Sequence, residues 1–586
     1  MGERKLAHFF VNAMLKILAR FRRLLIPCIK APGGKISLML FLLAVALNLG
    51  AVYASIRLTR WTGEFYSAVE KVDAAQVYYQ IGIFALIVGL NSARGLAHEY
   101  IRKVIEIRWR RALTDHAISL WTTNKAYWFL ANGGEQRIDN PDQRIAEDCR
   151  LFTKGLLGEA LDLIGEVVGL FSYVALLWSL ANFPLSLAFA GIDYEIPRYM
   201  VWSAFLYVAI CSVITHLLGY PLKGLLTEQQ KREASFRFAM ARWRGAFDEV
   251  ALAGGEAVEK EGFRRRFDAV AHNWRHLIRR ELILGLFTYP FRHSVLRIPL
   301  FVALPGYLAG HVAFGGLMQL SMAFSNVVTT LSWFIFSYRN LADLVATTAR
   351  LDNFLLAAQA AGRQGAGSVM AGEDRDIPLP RVENLTLYTP DRRELLTLDG
   401  MALAPGGAVW LNGRSGIGKT TLVKALAGLW QHRDGTAEWP RERSMFLSQK
   451  SHLPTGTLLD AAAYPAPAGE IDEERAIAAL DAVGLGHRPP SLLIGQDDAP
   501  DGLSGGEVQR LALARLLFHE PDWVVMDEAT SALDAKAERD LLALLRERLP
   551  ETGFFIVSHR KPDGIGAFST IDLSDTTISP SVTAPA

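Results

Sequence analysis

The sequence has few cysteines and almost no net charge. Only three of its 586 residues are cysteine, and Cys28, Cys149 and Cys211 are scattered, with no pair at C-x-x-C spacing. This argues against a disulfide framework and against a zinc site. The formal net charge is only +2, with 62 Lys and Arg against 60 Asp and Glu. Because nothing in this balance attracts nucleic acid, no nucleic-acid partner is expected.

Hydrophobic residues, in contrast, are abundant and unevenly distributed. They make up 50% of the chain, which is high for a soluble protein with a charged surface. Long apolar segments fill the first part of the chain, and an ordinary soluble composition begins at about residue 377. Since the length allows several domains, we expect a multidomain protein, with a membrane half followed by one soluble α/β domain.

Residues 1–35 form a basic, amphipathic segment. Charged residues such as Lys16 and Arg20 alternate with apolar ones such as Leu15 and Leu18. Charge interrupts the apolar positions and no small-residue cleavage site stands out, so this is not the pattern of a secretory signal peptide. The segment predicts a helix on the cytoplasmic membrane surface, and a signal anchor is the weaker alternative.

Six apolar segments follow within residues 36–356, each near the ~20 residues that span a bilayer. They are placed at about 36–58, 78–100, 161–181, 199–219, 284–310 and 316–338. The second is the weakest, because it carries Arg94 and Glu99. We therefore predict a six-span, all-α transmembrane permease domain over 36–356.

Loop charge predicts the orientation of this bundle. The stretches 101–155 and 220–281 are rich in Lys and Arg, whereas the loops after spans one, three and five are short and poor in both. The N- and C-termini are therefore expected in the cytoplasm. Because the two basic stretches also have a helical pattern, spans two to five are expected to continue as long cytoplasmic helix extensions.

The fifth segment carries ionisable groups at membrane depth, namely Arg292, His293 and Arg297. Such groups are costly in lipid and usually face a cavity or a partner. The preferred interpretation is that they line a polar substrate path, to which Glu166 of the third segment also belongs. The alternative is structural pairing inside the bundle, with Glu166 or Asp162 as the partner.

Residues 357–376 separate the two halves of the chain. They lose the apolar periodicity and gain glycine, which is typical of a linker. The remaining residues, 377–586, carry the motifs on which a function can be argued.

The stretch 413–420 fits the pattern G-x-x-x-x-G-K-[ST]. It consists of Gly413, Arg414, Ser415, Gly416, Ile417, Gly418, Lys419 and Thr420, and Thr421 follows. An apolar strand-like run precedes it and a helical run follows, as the motif requires. Backbone N–H groups and the positive end of the helix dipole would bind the phosphates of ATP. Lys419 would reach the β- and γ-phosphates, and Thr420 would hold Mg²⁺.

Three further polar positions follow strand-like runs. The run 523–528 ends in Asp527, predicted to hold Mg²⁺ through water, and in Glu528, predicted to polarise the attacking water. Gln449 is predicted to contact Mg²⁺ and the attacking water, and His559 to reach the γ-phosphate. Alone, Gln449 or His559 would be interpreted as a surface residue, and it is their order around the other motifs that favours a catalytic role.

The run 503–507 opens a helix and supplies a second anion-binding helix start. Its polar part is Ser504, Gly505, Gly506 and Glu507. A phosphate already held by Lys419 needs no second such site in the same molecule, whereas a second copy placed head-to-tail could use it. We therefore predict a homodimer in which this run contacts ATP bound to the other chain.

With these motifs in this order, the soluble half resembles the ABC transporter family. The matching elements are the Walker A loop at 413–420, the Q-loop at Gln449, the LSGGE signature at 503–507, the Walker B strand at 523–528, the D-loop at 531–534 and the switch His559. The resemblance implies a P-loop ABC ATPase domain over 377–586 with ATP and Mg²⁺ as cofactors. It also implies that Asp534 of the D-loop joins the signature in contacting ATP of the other chain.

The membrane half resembles the SbmA/BacA-type permease domain, through the motifs at 107–111, 140–145, 233–238 and 317–319. Fused to an ATPase domain, it is similar to bacterial BacA-like ABC transporters and to peroxisomal fatty-acyl-CoA ABC transporters. This implies uptake of peptides or other bulky hydrophilic solutes, or movement of acyl-CoA or lipid-like cargo, and export of lipid or drug stays open. The bacterial look of these permease motifs implies the bacterial inner membrane, and 583–586 is not a peroxisomal address of the S-K-L type.

One departure from the family pattern concerns adenine. Many ABC ATPases stack adenine on an aromatic residue upstream of the Walker A loop, and Thr389 falls at that position here. Tyr388 is one residue away, and a shift of one residue on a strand changes the face. Adenine stacking by Tyr388 is therefore a hypothesis, with Arg392 or Arg393 as the alternative contact.

Two rival classes of function remain. A soluble-type ABC ATPase of translation or DNA repair is opposed by the apolar segments, and an ATP-regulated channel or receptor would show flux without turnover. The preferred interpretation is a half-transporter that works as a homodimer in membrane lipid and couples ATP hydrolysis to translocation of a solute.

Overall fold

The structure is a computed structural model that describes residues 2–132, 140–189, 192–294, 297–373, 379–440, 443–494 and 502–573. The chain divides into two compact units. The helical unit comprises Met1–Ala117 and Asn140–Asn353, and the α/β unit comprises Ile118–Asp139 and Phe354–Ala586. The fold class is the one predicted, a helical transmembrane region and an α/β domain with a parallel sheet.

Helices dominate the first two thirds of the chain. They are α1 (Gly2–Lys30), α2 (Gly34–Glu70), α3 (Ala74–Thr122), α4 (Ala126–Asn132), α5 (Pro141–Gln143), α6 (Cys149–Leu180), α7 (Tyr199–Arg244), α8 (Phe247–Ala253), α9 (Glu256–Ser294), α10 (Ile298–Leu308), α11 (Phe314–Phe336) and α12 (Tyr338–Glu373). A 3-10 turn (Thr123–Lys125) precedes α4, and a π-helix (Arg144–Asp148) joins α5 to α6.

Among the described residues, four helical stretches are long and apolar enough to cross a membrane. They are Gly34–Glu70, Ala74–Asn132, Pro141–Leu180 and Tyr199–Arg244, and they cover the first four predicted spans to within one residue. The fifth predicted span falls on two helices, because α9 ends at Ser294 and α10 begins at Ile298. The sixth coincides with α11. The total of six spans therefore stays a prediction.

Three helices are much longer than a bilayer requires. α3 has 49 residues, α7 has 46 and α9 has 39, whereas ~20 residues already span about 30 Å. These helices are thus long enough to extend beyond the bilayer, as predicted for spans two to five. The side of the membrane to which they extend stays a prediction.

A β-hairpin lies between α6 and α7. β1 (Pro184–Phe189) pairs antiparallel with β2 (Ile192–Pro197). We did not predict these strands, because a short loop was expected after the third span. The alternation of apolar and small residues over 185–189 is the period-2 signal that would have indicated a strand.

Two buried carboxylates form ion pairs between segments of the helical unit that are predicted to lie in the cytoplasm. Asp148 accepts hydrogen bonds from Arg144 at 2.9 Å and from Arg350 of α12, also at 2.9 Å. Asp352, two residues further along α12, accepts from Arg23 of α1. Since a buried charge without a partner is strongly destabilising, these ion pairs hold α1, the π-helix and α12 together.

The segment 357–376, interpreted from the sequence as a linker, is helical as far as Glu373 because α12 continues through it. One of its glycines, Gly365, has a packing reason. A Cβ on Gly365 would lie 1.9 Å from the carbonyl oxygen of Asn124, whereas one on Gly362 would meet ordinary contacts at 3.6 and 3.8 Å. Glycine at 365 thus permits the close approach of the turn Thr123–Lys125.

The α/β unit continues with strands and helices in alternation. They are β3 (Arg381–Tyr388), β4 (Glu394–Ala402), β5 (Ala408–Asn412), α13 (Lys419–Leu426), β6 (Arg433–Glu438), β7 (Ser444–Leu447), β8 (Gly456–Thr457), α14 (Leu458–Ala463), α15 (Glu473–Ala482), β9 (Leu493–Ile494), α16 (Gly505–His519), β10 (Trp523–Asp527), α17 (Ala535–Arg548), β11 (Gly553–Val557) and β12 (Ser569–Asp572).

A five-stranded sheet organises this unit. Its strand order is β12-β5-β11-β10-β7 and all pairs are parallel. Every residue of β10 and β11 is buried, as expected for a parallel sheet covered on both faces. β4, β3 and β6 form a second, antiparallel sheet. Because parallel strands end at the same edge, the segments after β5, β7, β10 and β11 come together there.

Candidate functional site

The loop 413–418 joins β5 to α13. Gly416 and Gly418 have φ of 83° and 106°, in the left-handed region that favours glycine. Gly418 caps α13 without a side-chain hydrogen bond, so the first backbone N–H groups of this helix are open to an anion. Lys419 is buried, and its Nζ donates to the carbonyl oxygen of Gly413 at 2.6 Å. The loop and its lysine therefore fit a nucleotide phosphate.

Asp527 and Thr420 lie next to each other beneath this loop. The Thr420 hydroxyl hydrogen-bonds the Asp527 carboxylate. Burial raises the pKa of Asp527 above its ordinary value, and the bond from Thr420 partly opposes this shift. A hydroxyl and a carboxylate are oxygen ligands of the kind that Mg²⁺ prefers. These two residues could hold the ion where the sequence predicts it.

Glu528 receives two side chains from neighbouring strand ends. Gln449 Nε2 donates to Glu528 Oε2 at 2.9 Å, and His559 Nε2 lies 3.1 Å from Glu528 Oε1. Glu528 also has φ of 50°, a costly backbone conformation that persists only where the surrounding structure imposes it. Here its N–H donates to the carbonyl oxygen of Val557 at 2.9 Å. Two residues predicted separately, Gln449 and His559, thus converge on the carboxylate of a third.

The signature run forms the capped start of α16. Ser504 Oγ accepts from the Glu507 N–H at 3.3 Å, and the Glu507 carboxylate accepts from the Ser504 N–H at 2.8 Å, which is a capping box. Arg488 donates to Glu507 and to the carbonyl oxygen of Gly502, both at 2.9 Å. The bond from Arg488, together with the bond from the Ser504 N–H, lowers the pKa of Glu507 to about 2. No sequence motif indicated Arg488.

A cavity of about 370 Å³ lies beside this helix start. Its described lining comes from Gly484, His487, Ser504, Gly506, Glu507, Arg510, Ala532, Leu533, Asp534 and Ala537. Gly505 is adjacent, since a Cβ there would lie 3.8 Å from Ala532. The residues predicted for the contact to ATP of a second chain are therefore grouped at one cavity, to which the described Walker A residues do not contribute.

Tyr388 ends β3, where the register with β4 shifts between Leu387 and Tyr388. Its hydroxyl bonds Asp434, and this bond raises the pKa of the phenol. Its carbonyl oxygen accepts from Trp430 Nε1 at 3.0 Å. Tyr388 thus has partners within its own domain, and adenine stacking stays a hypothesis. Arg392 and Arg393 are exposed in the turn between β3 and β4.

Three of the four residues predicted for a substrate path have described side chains. Glu166 of α6 hydrogen-bonds Thr330 of α11. His293 near the end of α9 and Arg297 before α10 are exposed, and the side chain of Arg292 lies outside the described part of the chain. Among the described side chains, the hydrogen-bond partner of Glu166 is therefore the Thr330 hydroxyl of the neighbouring helix α11.

Comparisons with known proteins agree with the motifs. Residues 23–304 match the family described as ABC transporter transmembrane region 2, and residues 398–531 match the family described as ABC transporter. The chain is 31% identical over 554 residues to the inner membrane ABC transporter ATP-binding protein YddA of Escherichia coli, and the match covers 93% of this chain and 95% of the relative.

Two eukaryotic relatives also match over most of their length. ABC transporter D family member 2, chloroplastic, of Arabidopsis thaliana is 25% identical, with 88% of this chain and 80% of the relative covered. The lysosomal cobalamin transporter ABCD4 of Homo sapiens is 25% identical, with 93% of each covered. The chain therefore belongs to the ABC transporter family, as a half-transporter in which a transmembrane region is fused to an ATPase domain that couples ATP hydrolysis to transport.

Proposed function

We propose that this half-transporter is a homodimeric, ATP-driven importer of peptides or other bulky hydrophilic solutes, of the SbmA/BacA-like kind, in the bacterial inner membrane. The observation that carries the ATP-driven part is the convergence of Gln449 and His559 on the carboxylate of Glu528, at 2.9 and 3.1 Å. This is the group that would accept a proton from the attacking water.

In the proposed site, each residue has a separate task. The loop 413–418 and Lys419 bind the phosphates of ATP, while Thr420 and Asp527 hold Mg²⁺. When bound, Mg²⁺ neutralises charge on the phosphates, and the rest of catalysis is mainly positioning. Glu528 takes the proton of the water, and Gln449 and His559 orient that carboxylate and the γ-phosphate.

The proposed homodimer rests on the signature run. Ser504, Gly506 and Asp534 line the cavity beside α16, and the helix start there attracts an anion. A second copy of the chain, related by two-fold symmetry, would place its own ATP at this cavity. Each ATP would then lie between Lys419 of one chain and Ser504 of the other.

The proposed cycle links the dimer to the membrane region. Binding of two ATP molecules would close the ATPase domains and favour one of two arrangements of the membrane helices. Hydrolysis would return the helices to the other arrangement. Both termini would lie in the cytoplasm, so the ATPase domains would use cytoplasmic ATP.

The cargo proposal rests on polar groups in the membrane helices and on one relative. Glu166 and Thr330 are hydrogen-bonded between α6 and α11, and polar groups inside a membrane region usually serve a pathway or a partner. The relative named as a cobalamin transporter carries a bulky polar solute. The alternative is a transporter or exporter of fatty acyl-CoA, lipid or drug-like cargo.

The test is cellular accumulation of a labelled hydrophilic peptide in a host without its own uptake route. The wild-type chain and Glu528→Gln are expressed at equal levels. Since the two proteins differ only in the proposed base, a difference in accumulation then reports on ATP hydrolysis. Accumulation with the wild type alone is expected. Accumulation with both proteins would indicate an ATP-regulated channel, and none with either would favour the lipid-type cargo, to be tested in reconstituted vesicles.

A further inference from the structure

The residue after His559 makes contacts that the proposed hydrolysis does not use. Arg560 Nη1 donates to the carbonyl oxygen of Leu533 at 3.2 Å and lies 3.6 Å from Glu538 Oε2. Leu533 belongs to the D-loop 531–534, and Glu538 to the first turn of α17. Arg560 therefore joins the segment that carries His559 to the D-loop.

The partner of Arg560 is a buried carboxylate. Glu538 is 6% exposed, and its Oε1 accepts the Thr530 hydroxyl at 2.7 Å. A buried carboxylate is stable only when its charge is compensated by cations and hydrogen bonds. The hydroxyl satisfies one oxygen and the guanidinium the other, so Arg560 is held in place by the charge beneath it.

Trp410 of β5 holds the same segment from its other side. Trp410 Nε1 donates to Ser558 Oγ at 3.0 Å, and Ser558 Oγ donates to the carbonyl oxygen of Arg560 at 2.6 Å. His559 thus lies between two anchored neighbours. Its ring can reach Glu528 because the backbone on both sides is held.

The D-loop is in turn held by the helix that follows the signature. Gln509 of α16 donates to Ser531 Oγ at 3.1 Å and accepts from the Ala532 N–H at 2.7 Å. A continuous series of contacts therefore leads from α16 through the D-loop to Arg560. A cavity of about 180 Å³, lined by both Glu528 and Arg560, leaves space for this segment to shift.

We propose that Arg560 is a positioning residue for ATP hydrolysis, which sets His559 relative to Glu528 and makes that position depend on the D-loop. The inference rests on the roles proposed for Glu528 and His559. In the proposed dimer, α16 and the D-loop of one chain face ATP of the other. Binding of that ATP would change the position of His559 through the contacts of Gln509, the D-loop and Arg560.

The test uses the full chain reconstituted into liposomes without cargo. ATP turnover and binding of a fluorescent ATP analogue are measured for the wild type, Arg560→Ala, Arg560→Lys and Arg539→Ala. Arg539 is the matched control, an exposed arginine of α17 that lies 4.0 Å from Asp563. We expect Arg560→Ala to lower kcat about tenfold with KM and analogue affinity within about twofold, because only positioning is lost. Arg560→Lys should recover part of the rate, and Arg539→Ala should match the wild type.

The second arm places Arg560→Ala in a His559→Ala background. If Arg560 acts through His559, the two losses are not additive, and the second substitution lowers kcat by less than about twofold. The same tenfold loss in both backgrounds would overturn the proposal. So would a wild-type kcat for Arg560→Ala, or an equal loss with Arg539→Ala.

Three further outcomes are distinguished from one another. If Arg560→Ala binds no ATP analogue because it does not fold, Glu538→Gln takes its place, and an unchanged kcat for that variant overturns the proposal. Failure of peptide accumulation by a protein that hydrolyses ATP would reject the uptake proposal and leave this one intact. Full turnover by Glu528→Gln would reject the proposed base and this inference with it.

Discussion

Arg23 of α1 and Asp352 of α12 form a bidentate ion pair, in which Nε and Nη2 of the arginine lie 2.8 and 2.6 Å from the carboxylate oxygens. Arg20 lies 3.6 Å from the same carboxylate. The basic residues of α1, predicted to lie at a membrane surface, thus serve in part to compensate a buried charge. Leu15 and Leu18 are exposed, and their contact with lipid stays a prediction.

Removing Arg23 should therefore destabilise the helical unit. Arg23→Ala leaves the Asp352 carboxylate buried with only Arg20 nearby, and we expect a loss of about 2 kcal/mol, below the usual ~3–5 kcal/mol for a broken buried pair. The measurement is thermal unfolding in detergent. Arg22→Ala, at an exposed neighbouring position, is the control, and equal unfolding temperatures for both variants would contradict the assignment.

Lys419→Ala should abolish nucleotide binding or turnover. The amino group of Lys419 is buried and donates to the carbonyl oxygen of Gly413 in the loop 413–418, so alanine removes a cation that would face the phosphates. Binding of a fluorescent ATP analogue should weaken by at least about tenfold, which is ~1.4 kcal/mol. Lys424→Ala on the same helix serves as the control, and unaltered affinity and turnover in Lys419→Ala would reject the role.

Glu528→Gln should separate binding from hydrolysis. Glutamine keeps the size and one acceptor oxygen of the side chain but cannot take a proton, so kcat should fall about 100-fold or more with ATP affinity retained. The variant should accumulate as an ATP-bound dimer, detectable by size-exclusion chromatography with ATP and Mg²⁺. Turnover at the wild-type rate would remove Glu528 from the role of base.

The Arg488–Glu507 pair predicts a specific pH dependence. The folded-state pKa of Glu507 is about 2, below its ordinary 4.5, so the stabilisation is complete above the ordinary value and is lost as pH falls through the folded value. Arg488→Ala should lower the unfolding temperature by a constant amount from about pH 8 to about pH 5, and the difference should shrink below about pH 4.5.

His487→Ala is the control for this pair. His487 lies 3.4 Å from Glu507 and is 60% exposed, so its removal should have a smaller effect, since exposed ion pairs contribute little. A difference between wild type and Arg488→Ala that grows as the pH falls would contradict the assigned pKa of Glu507.

Two glycines of α12 provide a matched comparison. Gly365→Ala would bring a Cβ to 1.9 Å from the carbonyl oxygen of Asn124, whereas Gly362→Ala meets only ordinary contacts. The backbone must move in the first case, at about 1–3 kcal/mol, and alanine favours the helix in the second. Thermal unfolding should show Gly365→Ala destabilised and Gly362→Ala unchanged or stabilised. Equal unfolding temperatures would contradict the close approach.

The membrane half and the ATPase half were recognisable from the sequence because each depends on contiguous patterns. The Walker A loop lies within eight residues, and an apolar segment is visible wherever it occurs. These patterns also located Gln449, Glu528 and His559, since each follows a strand-like run. The same reasoning interpreted Gly365 as part of a linker, because glycine content alone does not distinguish a flexible segment from a close helix contact.

By itself the sequence determined the family, the order of its motifs and the two-part architecture. Tertiary structure alone decided which distant side chains meet, such as Arg23 with Asp352, 329 residues apart, Arg488 with Glu507, and Arg560 with Glu538. The reason is physical. A phosphate loop or an apolar helix is specified by neighbours in the chain, whereas the partner of a buried charge is specified by packing, which brings together residues that share no local pattern.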